Sequence, residues 1–133
     1  MYSIDTKPGQ LWARDYDVET GATGPRRLVR AFDGENADGM CLDTDGQLWI
    51  AFYGPGEVRR YTPEGELTGV VEVASPHTTS CAFVGAELDR MLITSASQEL
   101  EPDVLRTFPD AGRLFLVDVG AHGLPEAFWS GKA

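Results

Sequence analysis

Asp38 is the residue whose type and position in this sequence most clearly suggest chemistry. It stands with Gly39 directly before a short apolar run, where a strand of a predicted sheet begins. An ionised carboxylate there can bind a hard cation such as calcium and can take a proton from an attacking water. Calcium binds typically about six to eight oxygen ligands, so one carboxylate cannot hold it alone. Because Asp-Gly is also a frequent turn pair, a plain turn role is the alternative from the residues alone.

The other polar candidates lack the partners that catalysis needs. Asp43 and Asp45 frame a second Asp-Gly turn, so we expect both carboxylates to be solvated. Two serines lie in predicted strands without the sharp turn of a nucleophile elbow, and neither histidine has a spaced partner. An acidic loop is also expected to be solvated, although it could border the mouth of a channel instead. These serines, histidines and acids are Ser80, Ser95, His77, His122, Glu99, Glu101 and Asp103.

The elements that must position these residues are short β-strands. Residues 38–65 contain three β-type runs, separated by Asp-Gly, Gly-Pro-Gly and Pro-Glu-Gly turns. Weaker copies of this meander lie on both sides, at a spacing of roughly 50 residues that is typical of a four-stranded propeller blade. An antiparallel sandwich with similar hairpins is the alternative that the pattern leaves open.

The repeat predicts an all-β fold, a partial β-propeller of about three four-stranded antiparallel blades. The whole chain, 1–133, forms one domain, in which blade one (1–36) lacks its inner strand. Blade two covers 37–76 and blade three covers 77–133. The expected strands are 1–4, 10–16 and 27–32, then 39–43, 47–53, 57–62 and 67–73, and finally 79–84, 90–96, 113–119 and 124–129.

Helix is nearly excluded by the same pattern. A helical turn has room only in Leu100–Phe108, which Pro102 and Pro109 bracket. The three tryptophans each lie in an expected strand and are predicted to pack between blades. They are Trp12, Trp49 and Trp129.

Cys41 and Cys81 occupy equivalent places, each in the first strand of its unit. Their spacing is not a metal-binding motif, and we expect two buried, reduced thiols. A disulfide needs Cα atoms within about 7 Å, which adjacent inner strands of a propeller seldom offer.

Charge and hydropathy exclude several classes of partner. The 133 residues include 11 basic and 21 acidic side chains, which give a net charge of −10. This balance argues against nucleic acid and anionic membranes, because their phosphates require a basic patch. No apolar run approaches the roughly 20 residues of a membrane span, and no signal-peptide core follows Met1. The sequence therefore predicts a soluble, cytoplasmic protein.

Residues 37–51 resemble the SMP-30/gluconolactonase/regucalcin family, which shows Pro-Asp-Gly-Met-Cys, an acid, an Asp-Gly turn and Leu-Trp-Val-Ala. This chain has Ala37 in place of the proline and otherwise follows that order closely. Four further stretches resemble family motifs in the same order, so the resemblance covers nearly the whole chain. They are residues 15–21, 78–85, 92–96 and 109–115.

The resemblance implies half of a six-bladed ring, because this chain matches only the C-terminal part of the family's propeller. Family members bind a divalent cation, often calcium or zinc, and many hydrolyse sugar lactones. The resemblance assigns Asp38 two roles, as a metal ligand and as the candidate catalytic base. The family's Glu ligand has no counterpart here, and its Asn ligand would fall just before Met1.

The expected function is therefore a metal-dependent sugar-lactone hydrolase that is incomplete as this chain alone. A non-catalytic propeller fragment and a calcium-binding module are the alternatives. Half a ring would leave two blade faces bare, with residues such as Trp12, Phe52, Phe83 and Phe115. We expect self-association, either as a homodimer that covers these faces and completes the six-bladed ring or as an aggregation-prone species.

Overall fold

Three antiparallel sheets and one short helix make up the computed structural model, which describes residues 1–125. The predicted all-β class is confirmed. Within each sheet, strands that follow one another in sequence are also neighbours, so every sheet is a simple meander. No helix in the described part is long and apolar enough to cross a membrane.

The first sheet has three strands and depends on one tight turn. Gly9 closes that turn with φ of +61°, and a Cβ atom there would lie 2.6 Å from the carbonyl oxygen of Phe32. Only glycine fits both the backbone angle and the space. The second strand is shorter than predicted, and Tyr16 makes only an isolated bridge with Thr23. The strands are β1 (Tyr2–Asp5), β2 (Gln10–Ala13) and β3 (Arg27–Ala31), in the order β1-β2-β3.

The second sheet has four strands, as the repeat predicts. Its three connections turn at glycines with positive φ: Gly46, Gly54 with Gly56, and Gly65. These are the turn residues that separate the β-type runs of the sequence. The strands are β4 (Asn36–Leu42), β5 (Leu48–Tyr53), β6 (Glu57–Tyr61) and β7 (Leu67–Glu72), in the order β4-β5-β6-β7.

The third sheet adds three strands in the order β10-β9-β8. A six-residue helix lies within Leu100–Phe108, the one segment where the sequence allowed a helical turn. It begins at Pro102, whose fixed φ suits a first helical turn. The acids of this loop are exposed, as predicted. The predicted strand 124–129 and Trp129 fall largely outside the described residues. The elements are β8 (Thr78–Val84), β9 (Arg90–Ser95), α1 (Pro102–Thr107) and β10 (Leu114–Val117).

Strand β5 is buried on both faces and places the second sheet between the other two. Leu48, Ile50 and Phe52 pack into one apolar cluster with residues of the first sheet. Trp49 and Ala51 point the other way, into a cluster with residues of the third sheet. This explains why β5 reads as a continuous apolar run rather than an alternating one. The partners are Leu11 and Phe32 on one side, and Cys81, Met91 and Ile93 on the other.

Phe52 therefore lies in the core and not on a bare blade face. The prediction for this residue was wrong, because β5 belongs to the middle sheet and Phe52 is 0% exposed. Its ring meets Phe32 edge-to-face, with 5.1 Å between the centroids. Phe83 and Phe115 pack against the cluster between the second and third sheets, so the prediction was wrong for them as well, whereas Trp12 is half-buried on the outer face of the first sheet.

Truncating Phe52 should cost much of the stability of the fold. We expect Phe52→Ala to lower the free energy of unfolding by about 3–5 kcal/mol, because it opens a cavity in the cluster between two sheets. Val18→Ala is the matched control, since Val18 is 82% exposed and its truncation removes no packing. Urea unfolding followed by tryptophan fluorescence measures both values. Equal effects of the two substitutions would contradict this core assignment.

Candidate functional site

Asp38 lies in a β-bulge of β4. The strand pairs with β5 up to Ala37 and again from Met40, so Asp38 and Gly39 together face Ala51 alone. A bulge of this kind turns a side chain away from the regular alternation of the strand, and bulges are frequent beside functional sites. Asp38 is thus carried by a local irregularity and not by an ordinary turn.

Strand β8 has a matching bulge at the equivalent position. Its pairing with β9 shifts between Thr78 and Ser80, which leaves Thr79 as the extra residue. The buried hydroxyl of Thr78 lies within hydrogen-bond distance of two carbonyl oxygens of the middle sheet, those of Phe52 at 2.6 Å and Glu57 at 2.9 Å. These contacts fix the start of β8 against the sheet that carries Asp38.

The two bulged strands touch through their backbones. A Cβ atom at Gly39 would lie 2.2 Å from Oγ of Ser80 and 2.8 Å from its Cα. No side chain fits there, so Gly39 is required by the close approach of β4 to β8. Ser80 serves this contact and lacks the surroundings of a nucleophile. The approach places the Asp38 backbone beside the start of the third sheet.

Asp38 is half-buried and has no cationic partner among the described residues. Burial raises the pKa of Asp38, and a hydrogen bond from the Gly39 N–H offsets only part of that effect. Glu35 shows the opposite behaviour, because its hydrogen bonds from Arg59 lower the pKa of that carboxyl. A desolvated carboxylate without a counter-ion favours either a bound cation or a proton.

Tyr53, His77 and the start of the acidic loop lie near Asp38. Burial raises the pKa of Tyr53, and the negative charges of Glu99 and Asp38 raise it further. The Tyr53 and His77 rings stack with 3.8 Å between their centroids. The carbonyl oxygen of Gln98 accepts from the Tyr53 hydroxyl at 3.4 Å and lies 3.1 Å from Nδ1 of His77. The acidic loop therefore borders the Asp38 end of the sheets at Glu99.

Asp43 is fully buried, so the prediction that it is solvated was wrong. Its carboxylate accepts from Trp49 Nε1 at 2.9 Å, from Arg60 Nε at 2.9 Å, and from the backbone N–H groups of Asp45 and Gln47. Burial opposes ionisation, but the hydrogen bonds from Trp49, Gln47 and Arg60 outweigh it and lower the pKa of Asp43. Asp45 is exposed, as predicted. Asp43 is therefore a structural anchor with no capacity left for a ligand.

Ser95 and His122 are bound to backbone groups. The Ser95 hydroxyl donates to the carbonyl oxygen of Arg113 at 2.8 Å and accepts from the N–H of Gly112 at 3.0 Å. Nδ1 of His122 lies 3.2 Å from the carbonyl oxygen of Glu87. These partners hold loops in place, which agrees with the expectation that neither residue is a nucleophile or a base.

Cys41 and Cys81 are both free thiols, as predicted, but they are closer than expected. Their sulfur atoms lie 3.7 Å apart, within the range of a sulfur hydrogen bond. We expected adjacent inner strands to lie too far apart for a disulfide. The contact of β4 with β8 at Gly39 brings the two thiols closer than that expectation allowed.

Residues 1–97 match the family described as SMP-30/Gluconolactonase/LRE-like region. The chain belongs to this family, which confirms the resemblance drawn from the motifs around Asp38.

Curated relatives extend the match over nearly the whole chain. Regucalcin of Oryctolagus cuniculus is 38% identical over 135 aligned residues, which cover 98% of this chain and 45% of that protein. Regucalcin of Gallus gallus is 39% identical over 129 residues, covering 94% of this chain and 43% of the relative. This chain thus spans less than half the length of these relatives.

Solved structures show the same partial coverage. Regucalcin of Agrobacterium tumefaciens, described as a calcium-binding protein, matches with a TM-score of 0.86 and 31% identity. The match covers 92% of this chain and 43% of that structure. A luciferin-regenerating enzyme matches with a TM-score of 0.82 and 27% identity, over 93% of this chain and 43% of the other.

Sequence reasoning missed two features near Asp38. The stacked pair Tyr53 and His77 joins residues about two strands apart, and no local pattern links them. The bulge at Thr79 was also missed. Cys41 and Cys81 occupy equivalent places in β4 and β8, and a bulge lies two or three residues before each, so this equivalence could have indicated the second bulge.

The Asp43 network makes a pH-dependent contribution to stability. Asp43→Asn should lower the free energy of unfolding by about 3 kcal/mol or more at pH 7, because it breaks a buried ion pair. A lowered pKa stabilises the fold above the ordinary Asp value of 3.8 and loses that effect as pH falls toward the folded value. The difference between wild type and variant should therefore shrink in acid, which urea unfolding at several pH values measures.

Asp45→Asn is the matched control, since this exposed carboxylate contacts the same arginine at 3.0 Å. We expect it to change stability by less than about 1 kcal/mol. A difference between Asp43→Asn and wild type that stays constant down to the acid limit would contradict an ionised Asp43 in the folded state.

Proposed function

We propose that this chain supplies one part of a metal-dependent sugar-lactone hydrolase of the SMP-30/gluconolactonase type. The observation that supports the proposal most is Asp38, which carries the family motif on a bulged strand, half-buried and without an ion-pair partner among the described residues. A structural turn residue is typically exposed, as Asp17 is, where its carboxylate accepts from the N–H groups of Glu19 and Thr20.

Asp38 fits one ligand position of a divalent cation, calcium or zinc. Its carboxylate is desolvated and lacks a counter-ion, which is the state that a bound cation stabilises. Within residues 1–125, no three His, Cys, Asp or Glu side chains converge on one point. Calcium takes about six to eight oxygen ligands, so a complete site needs donors beyond those that the described residues bring together.

Asp38 has a second role in the proposed reaction, as the base. A bound divalent cation would polarise the lactone carbonyl as a Lewis acid. The carboxylate of Asp38 would take a proton from the attacking water as the water oxygen bonds to the carbonyl carbon, and would return that proton to the ring oxygen as the ester C–O bond breaks, which gives the hydroxy acid.

A non-catalytic calcium-binding module is the second candidate. It is supported by the solved regucalcin of Agrobacterium tumefaciens, which is described as a calcium-binding protein. The two candidates differ in one property, since a binding module takes up the cation without hydrolysing a lactone.

Asp38→Asn tests both the cation and the reaction. We expect the monomer to bind calcium or zinc more weakly than about 10⁻⁵ M and to hydrolyse gluconolactone little above background, because one ligand holds a cation poorly. Where an assembled form is active, Asp38→Asn should abolish hydrolysis and leave the fold intact. Titration calorimetry and a lactone assay measure these properties, with Asp45→Asn as the charge-matched control. Full activity of Asp38→Asn would disprove the assigned roles.

We further infer that two copies associate to complete a ring of six sheets, to which each copy brings its own Asp38. The outer face of the third sheet is apolar and open, with Leu114 65% and Leu116 60% exposed. Leu92 and Ala82 lie beside Leu116 in the same cross-strand row. A row of exposed apolar side chains of this kind is typical of a contact surface.

The first sheet offers a complementary face at the other end of the stack. Ser3, Trp12 and Leu28 form a cross-strand row there, and Leu28 is 49% exposed. The guanidinium of Arg26 covers the Trp12 ring at 4.2 Å. A two-fold axis can bring the first sheet of each copy onto the third sheet of the other, which buries both faces at once. Two copies of three sheets then make six.

Leu116→Glu tests this assembly. We expect the wild-type chain to self-associate at micromolar concentration and the variant to be monomeric, because a charge in an apolar contact is costly to bury. Leu67→Glu is the control, since Leu67 is 50% exposed on the middle sheet and outside both faces. Analytical ultracentrifugation distinguishes the species. A monodisperse wild-type monomer would show that the sheets are covered in some other way.

A further inference from the structure

Cys41 and Cys81 face each other across the contact between the second and third sheets. Their sulfur atoms are 3.7 Å apart, and both thiols are free. A disulfide bond measures about 2.05 Å, so the two sulfurs need to approach by less than about 2 Å. These are the two cysteines of the chain, so an intramolecular disulfide has one possible pairing.

The backbone permits this bond. Gly39 and Ser80 bring β4 and β8 into direct contact within two residues of both cysteines, with 2.8 Å between an ideal Gly39 Cβ and the Ser80 Cα. A disulfide requires Cα atoms within about 7 Å, and both the 3.7 Å between the two sulfur atoms and the contact of β4 with β8 favour that geometry. The remaining adjustment falls on the two side chains.

The two thiols differ in accessibility. Cys41 is half-buried and lines an open pocket of about 470 Å³ together with Met1, Tyr2 and Met40. Cys81 is buried, and its thiol donates to the carbonyl oxygen of Trp49 at 3.4 Å. The hydrogen bond with Cys41, followed by burial, raises the pKa of the Cys81 thiol. An oxidant from solution therefore reaches Cys41 first.

We propose that Cys41 and Cys81 form a peroxide-dependent disulfide that links the second sheet to the third. The Cys41 thiolate attacks one oxygen of hydrogen peroxide, the O–O bond breaks, and a sulfenic acid forms while the released hydroxide takes up a proton as water. The Cys81 sulfur then attacks the Cys41 sulfur and the S–O bond breaks. The Cys81 proton leaves with the released hydroxide as a second water, so two thiols are oxidised and one peroxide is reduced.

The bond would restrain the candidate site. Asp38 lies three residues before Cys41 in β4, and the bulge at Thr79 lies two residues before Cys81 in β8. Joining the two strands removes their freedom to separate at the level of the bulges. The proposal does not depend on lactone hydrolysis, because its product is a covalent bond that can be detected directly.

Mass spectrometry of the reduced, folded chain tests the proposal. After treatment with a small excess of hydrogen peroxide, we expect the intact mass to fall by two hydrogen atoms, and peptide mapping should find a Cys41–Cys81 link. Dithiothreitol should reverse the change, and the oxidised protein should melt at a higher temperature. Peptide mapping separates this product from oxygen addition at the methionines, which line part of the same pocket.

Three controls connect the bond to the folded geometry. Cys41→Ser and Cys81→Ser should lose the mass decrease and the gain in melting temperature, while circular dichroism shows the same fold. Gly39→Ala should form the link several-fold more slowly, because it pushes β4 away from β8. The folded chain should also react faster than the same chain in urea. Persistent alkylation of both thiols after peroxide treatment, or a disulfide only between two chains, would overturn the proposal.

Discussion

The contact between β4 and β8 at Gly39 and Ser80 is the constraint on which the candidate site depends. A glycine is required there because even a methyl group would overlap the neighbouring backbone. The two bulges, the placement of Asp38 and the sulfur contact of Cys41 with Cys81 all lie within three residues of this point. The close approach of β4 to β8 thus determines both where Asp38 lies and whether Cys41 can form a disulfide with Cys81.

Asp38 and Asp43 show how one strand can hold two carboxylates with opposite uses. The Asp43 carboxylate accepts hydrogen bonds from Trp49, from Arg60 and from backbone N–H groups. These bonds keep it ionised and fix the turn after β4. Asp38 lies at the other end of the strand, partly desolvated and without a cation among the described residues. The first arrangement stabilises the fold, and the second leaves a charge that a ligand can neutralise.

Much of the fold could be predicted from the sequence because turns and strands are local. Glycine and proline mark nearly every break, and the four strands of the middle sheet match the predicted runs within a few residues. Asp38 could be selected from its motif. The burial of Asp43 could not, since it depends on Arg60 from a strand two positions away. The same holds for Phe52 and for the sulfur distance, which follow from how whole sheets pack.

The two-faced burial of β5 has a consequence for how the chain comes apart. The two apolar clusters share this strand, with Ile50 and Phe52 on one side and Trp49 and Ala51 on the other. Neither cluster can open without exposing one face of β5, so we expect the three sheets to unfold as one cooperative unit. In hydrogen-exchange terms, we expect the amides of β5 to open only with the whole molecule, whereas those of β3, an edge strand among the described residues, can open on their own.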